Sequence, residues 1–129
     1  MNNVTLIQSL YDAFGKHDWP TIRKLLAPDI EWIQNEGFPG GGRHVGVDTV
    51  LENVLANFRT NWISWQAVVS EWLDAGQTIV ALGEYRGTHR ATGKSTVAAF
   101  AHVYEVRAGR IARFRQYTDT AMIRSAMTS

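Results

Sequence analysis

The chain has no cysteine, only three prolines, and a formal charge of just +1 over 129 residues. Without cysteine there is no disulfide, no thiolate nucleophile and no zinc–thiolate site. The 13 basic and 12 acidic residues nearly cancel, so charge gives no reason to expect a nucleic acid or an acidic membrane as partner. No apolar run approaches a membrane span. The opening MNNVTLIQSLYDAF lacks a basic n-region and reads as a first helix rather than a signal peptide, which makes the cytoplasm the expected compartment. None of the four histidines has ligand spacing with a second histidine and a carboxylate, so no metal and no other cofactor is expected. What is present is ordinary globular material. With 45% hydrophobic and 19% charged residues, the chain supports one domain with a real core.

Periodicity divides that domain. Val4, Ile7, Leu10, Tyr11 and Phe14 recur at helical spacing, with Thr5 and Gln8 as a capping box. Asp18 caps a second helix, with Pro20 in its first turn, Ile22, Leu25 and Leu26 inward and Pro28 as its stop. DIEWIQN, residues 29–35, reads as a short strand. The following EGFPGGGRHVG, with five glycines and a proline, reads as a loop at the mouth of a pocket, carrying solvated Arg43 and His44. A helix over 47–62 follows, on the stripe Val47, Val50, Leu51, Val54, Leu55, Phe58 and Trp62. From residue 63 the period becomes two. Four antiparallel strands are predicted near 63–73, 77–88, 96–107 and 110–118, then a short helix capped by Thr118 or Asp119. The fold class is α+β, with helices on one face of a curved, mostly antiparallel sheet. GTHRATGKST has five residues between its glycines and opens a strand, so it is a hairpin connection and not a phosphate loop.

Trp32 and Gly37 in a W-x-x-x-x-G pattern, the GT…TGK of residues 87–94 and the ending GRIARFRQYTDTA resemble the SnoaL-like (polyketide cyclase-like) branch of the nuclear transport factor 2-like, ketosteroid isomerase-like superfamily. The resemblance spans about residues 4–126. It implies a cone-shaped α+β barrel, a sheet wrapped around helices with one deep pocket, on a fold that serves both enzymes and binding proteins.

The resemblance also allows the family's catalytic positions to be checked. Polyketide cyclases use a His and an Asp fourteen residues apart; here His102 is retained and Gln116 stands in the Asp position. Limonene epoxide hydrolases also carry an Asp where Gln116 stands, and a Tyr-x-Asn that appears here as Ile33-Gln34-Asn35, with only Asn35 kept. The three ketosteroid isomerase positions fall on Leu10, Gln34 and His102, which argues against that mechanism. Asp119 is read as a helix cap.

Parity places Ala98, Phe100, His102, Tyr104 and Val106 on the inward face of one strand, and Phe114, Gln116 and Thr118 on that of the next. His102 is the candidate acid/base and Gln116 its amide neighbour, able to fix a ring or a water but not to take a proton. Asn35 is a further hydrogen-bond donor. Trp32, Phe58, Trp62, Tyr85, Phe100, Tyr104 and Phe114, with Tyr11 and Phe38, are the expected walls for a small, mostly apolar ligand. Glu31 and Glu84 read as exposed strand residues, and His17 and His89 as loop residues. Trp65, Val69, Val97 and Val103 are expected on the outer face, which predicts a homodimer. Two readings follow: an enzyme of the isomerase, cyclase, dehydratase or hydrolase class, or a binding module with the same pocket.

Overall fold

A computed structural model describes residues 2–129. Helix α1 spans Asn3–Gly15 and buries Leu6, Ile7, Leu10 and Ala13. Its cap is Asn2, whose side chain accepts from the Thr5 backbone N–H at 2.8 Å, so the expected Thr5–Gln8 box lies one turn too late. Helix α2, Trp19–Leu25, is capped as expected by Asp18, which accepts from both the N–H and the hydroxyl of Thr21.

Strand β1, Leu26–Gln34, starts directly after α2 and so contains Pro28 rather than following it. The proline is tolerated because the ladder to the neighbouring strand is interrupted between Leu26 and Glu31, where a missing N–H breaks no bond. The glycine-rich segment also departs from expectation. Its first half turns, but Gly42–Val45 forms strand β2, paired antiparallel to β1 from Gln34↔Gly42 to Glu31↔Val45. Pairing satisfies a backbone edge of β1 that a loop would leave open.

Helix α3 runs continuously through Val47–Thr49, a π-helical Val50–Leu55 and Ala56–Asn61, burying Val50, Val54 and Leu55. Trp62, expected as its last residue, instead begins strand β3, Trp62–Ala75. Strands β4 (Thr78–His89), β5 (Ser95–Arg107) and β6 (Arg110–Thr118) complete the meander. His89, expected in a loop, is the buried last residue of β4. Helix α4, Thr120–Met127, is capped by Asp119.

The sheet order is β2-β1-β6-β5-β4-β3, antiparallel except for the β1–β6 pair, and β2 and β3 are its free edges. It curves without closing. Register shifts at Trp62/Ser64 and Val69/Glu71 in β3, and at Glu105/Val106 between β5 and β6, supply the bend. The first of these shifts also corrects an expectation. It resets the parity of β3, so that Trp65 and Val69 face inward and pack on the core instead of lying outside. Gly87 makes room for Trp65: a Cβ there would sit 2.8 Å from Cε3 of Trp65 and 3.0 Å from the Ser64 carbonyl oxygen. One core cluster lies between α1, α2, α3 and the concave face. A second, with Phe38, Trp62, Tyr85, Phe100, Ile123 and Ala126, lies under α4.

Candidate functional site

Alternation along β5 buries Ala98, Phe100, His102, Tyr104 and Val106, and along β6 it buries Phe114 and Gln116. The bulge opposite Glu105 falls before Phe114, so it leaves the parity of Phe114 and Gln116 intact. His102 and Gln116 are register partners. Across them, β4 brings Tyr85 and α1 brings Tyr11.

His102 is 4% exposed, and its ring lies against Phe100 with centroids 3.8 Å apart and planes at 9°. Both ring nitrogens are taken by phenols: Nδ1 by the Tyr11 hydroxyl at 2.6 Å and Nε2 by the Tyr85 hydroxyl at 2.5 Å. Each phenol is held from behind. Tyr104 donates to the Tyr11 oxygen at 2.7 Å, and Gln116 Nε2 donates to the Tyr85 oxygen at 2.8 Å. The orientation of the Gln116 amide follows from its other end, because the Asn35 backbone N–H can only donate and meets Gln116 Oε1 at 3.0 Å. Gln116 therefore reaches His102 through Tyr85.

The result is a chain of buried neutral groups. Burial draws the His102 pKa down from 6.5 to about 3, leaving the ring neutral near pH 7. Burial also pushes Tyr85 and Tyr104 above the usual phenol range, and Tyr11 as well, where the neighbouring Tyr104 adds to the effect. A neutral imidazole has one N–H and one lone pair. It donates to one tyrosine and accepts from the other, in either sense. When Nδ1–H donates to Tyr11, that oxygen already receives two hydrogen bonds, and its own proton is directed to whatever faces it.

What faces it is a cavity of about 460 Å³, counting its open mouth, whose walls include Tyr11, Trp32, Gln34, Trp65, His102 and Phe114. Gln34 is 3% exposed and accepts from Trp32 Nε1 at 3.0 Å, which leaves its amide nitrogen as the free end. Tyr11 and Gln34 are thus two donors in a mostly apolar wall. Of the residues singled out from sequence, Trp32, Phe58, Tyr85, His102, Tyr104 and Phe114 line this cavity. Phe100 lies behind the His102 ring, Gln116 lies behind Tyr85, and Trp62 lines a wider vestibule outside. The Asn35 side chain accepts from the Thr118 N–H at 3.0 Å and ties β1 to the end of β6. Sequence reasoning missed Trp65, whose parity the bulge reversed. It also missed the polar role of Tyr11, although a phenol on an otherwise apolar buried stripe needs a partner for its hydroxyl. Among the described residues, no three His, Asp or Glu side chains gather as a metal site would require.

An open, cone-like α+β sheet closed by helices over one aromatic cavity defines the class: a nuclear transport factor 2-like fold. Residues 7–114 match the SnoaL-like domain, and the chain belongs to that family. Among solved structures it is similar to an NTF2-like protein from Burkholderia thailandensis, at 34% identity and TM-score 0.95, over 100% of this chain and 99% of that one. An NTF2-like protein of unknown function from Burkholderia pseudomallei matches at 30% identity and TM-score 0.91, again over 100% and 99%. TerC, co-crystallized with polyporic acid, shares the fold at 24% identity and TM-score 0.88, over 98% of each chain. No curated protein sequence matches the chain.

Proposed function

We propose that this protein binds a small, mostly apolar molecule bearing a carbonyl or enol oxygen, and assists proton transfer at the carbon beside it, as an isomerase or cyclase does. The observation that carries this reading is the occupation of both His102 nitrogens by Tyr11 and Tyr85 at the cavity wall. His102, the acid/base candidate by sequence, acts in this reading through Tyr11, and it is Tyr11 that touches the ligand. The ligand oxygen accepts from the Tyr11 hydroxyl and the Gln34 amide. Nδ1–H of His102 and the Tyr104 hydroxyl hold the Tyr11 oxygen, while the Tyr85 hydroxyl holds Nε2. Because burial disfavours a phenolate at Tyr11, and at Tyr85 or Tyr104 behind it, the relay shares its proton with the ligand oxygen and does not surrender it. It stabilises charge that develops on that oxygen as the neighbouring C–H proton leaves to water at the open mouth.

A second reading, a binding protein without chemistry, is favoured by one observation: among the described residues lining the cavity there is no carboxylate to take that proton. The test is deuterium exchange at the carbons beside the carbonyl of 2-tetralone, followed by NMR. Acceleration by the wild type, lost in Tyr11→Phe with the ketone still bound, supports the enzyme. Binding without acceleration supports the second reading. Equal binding and exchange in wild type and Tyr11→Phe contradicts the role of the relay in both.

The same proposal makes the protein a homodimer through the outer face of the sheet. Val97 is 51% and Tyr117 50% exposed there, and Val68 is exposed two strands from Val97. Sedimentation is expected to give twice the 14.5 kDa chain mass, and a single-chain mass at micromolar concentration contradicts it.

A further inference from the structure

The inner cavity adjoins a wider vestibule, and the two share Tyr11, Phe14, Leu55, Phe58, Trp65 and Ala67. The vestibule is the way in. It lies between the end of α1, the end of α3 and strand β3, and three indoles (Trp19, Trp62 and Trp65) line it. Besides Tyr11, its titratable lining groups are basic: Arg59 on α3, Arg90 from the β4–β5 turn and His17 after α1, with no carboxylate among the described residues of the wall. Asp18, next to His17, is committed to capping α2.

Among the described residues, Arg59 and Arg90, like Arg107, Arg110, Arg115 and Arg124, have no carboxylate partner, but only these two line the vestibule. Arg23, Arg43, Arg86 and Arg113 each pair with a carboxylate. Arg59 is exposed and has no such partner among the described residues. Arg90 is held in place without being neutralised. Its Nε donates to the Thr60 carbonyl oxygen at 3.1 Å and its Nη2 to that of Trp62 at 3.3 Å, while its backbone N–H meets the Asn61 carbonyl oxygen. These bonds fix a guanidinium over the end of α3 with Nη1 left over. Phe58 and Trp65, which line both the vestibule and the inner cavity, stack at 4.7 Å and 10°.

We propose that the ligand is an aromatic carboxylate. Its planar body lies along Phe58 and Trp65, its anionic group stays in the vestibule with Arg59 and Arg90, and its other end reaches Tyr11. This rests on the pocket reading above and adds the charge of the ligand to it. Two unpaired cations beside a low-dielectric aromatic wall favour an anion over a neutral molecule of the same shape, and guanidinium groups suit a carboxylate's two oxygens.

The experiment compares 2-naphthoate with 2-naphthamide, which has the same outline and no charge, by quenching of the vestibule tryptophans. The naphthoate is expected to bind roughly tenfold more tightly, with the preference shrinking as salt rises from about 0.05 to about 0.5 M. Arg59→Met, an exchange at an exposed position, should remove most of that preference and leave naphthamide binding unchanged. Arg90→Met, checked for folding by circular dichroism, should do the same. Equal binding of the two compounds, or a preference untouched in both variants, overturns the carboxylate while leaving the pocket reading in place. Binding of neither compound overturns both.

Discussion

His102 illustrates how a buried neutral group becomes a pH sensor for stability. In the unfolded chain its ring takes a proton below about 6.5, whereas in the fold burial delays that to about 3. Between those values the unfolded state binds one more proton than the native state. Its contribution is therefore complete above pH 6.5 and is lost as pH falls toward 3, by ~4–5 kcal/mol in all. Thermal unfolding of the wild type should show this slope. His102→Phe should be less stable at pH 7 but flatter between pH 6.5 and 4.5, and parallel curves for the two proteins would contradict the assignment. Gln116 makes a second point at this scale. Gln116→Leu leaves the half-buried Asn35 N–H without its acceptor and the buried Tyr85 oxygen without its donor. It should cost about 2–4 kcal/mol in urea unfolding, and a cost below about 0.5 kcal/mol would show that the amide is not a structural link. The inward placement of both residues was legible from alternation alone, because β5 and β6 keep their period through positions 100–116. Their bonding was not. The partners of His102 lie 91 and 17 positions away, on elements whose approach no local pattern records.

Strands and turns show the same division. The β5–β6 turn was legible as a tight hairpin in RAGR, and Ala108 and Gly109 indeed both take left-handed conformations, at φ 52° and 75°. Alanine is a poor occupant of that region, and Ala108 is exposed. Ala108→Asn should therefore stabilise the protein by ~0.5–1 kcal/mol, read as a raised melting temperature, and a lowered one would contradict the turn geometry. The bulges were not legible. A single extra residue near Ile63 moved Trp65 from the expected outer face to the cavity wall, and nothing in the composition of β3 marks it. Strand β2 was hidden for a related reason. Gly40, Gly41 and Gly42 argue for a loop locally, but the backbone groups of β1 demand a partner, and that demand is tertiary.

For the molecule as a whole, the element order together with the resemblance was enough to give the curved sheet with its helices, because amphipathic helices and alternating strands have few ways to share one core. What those patterns cannot convey is that much of the pocket's polarity sits in one relay, Tyr104–Tyr11–His102–Tyr85–Gln116, built from four elements. On this account the site works through neutral groups held in fixed order, and His102 never meets the ligand with a free nitrogen. The most direct test is to follow the His102 ring nitrogens by NMR through a pH titration of the folded protein. The account predicts one protonated and one unprotonated nitrogen from pH 8 down to about pH 4, with signals assigned by their loss in His102→Phe and responding to Tyr11→Phe at Nδ1 and to Tyr85→Phe at Nε2. A His102 that titrates near 6.5, like a free imidazole, with nitrogens indifferent to both tyrosine variants, would contradict it.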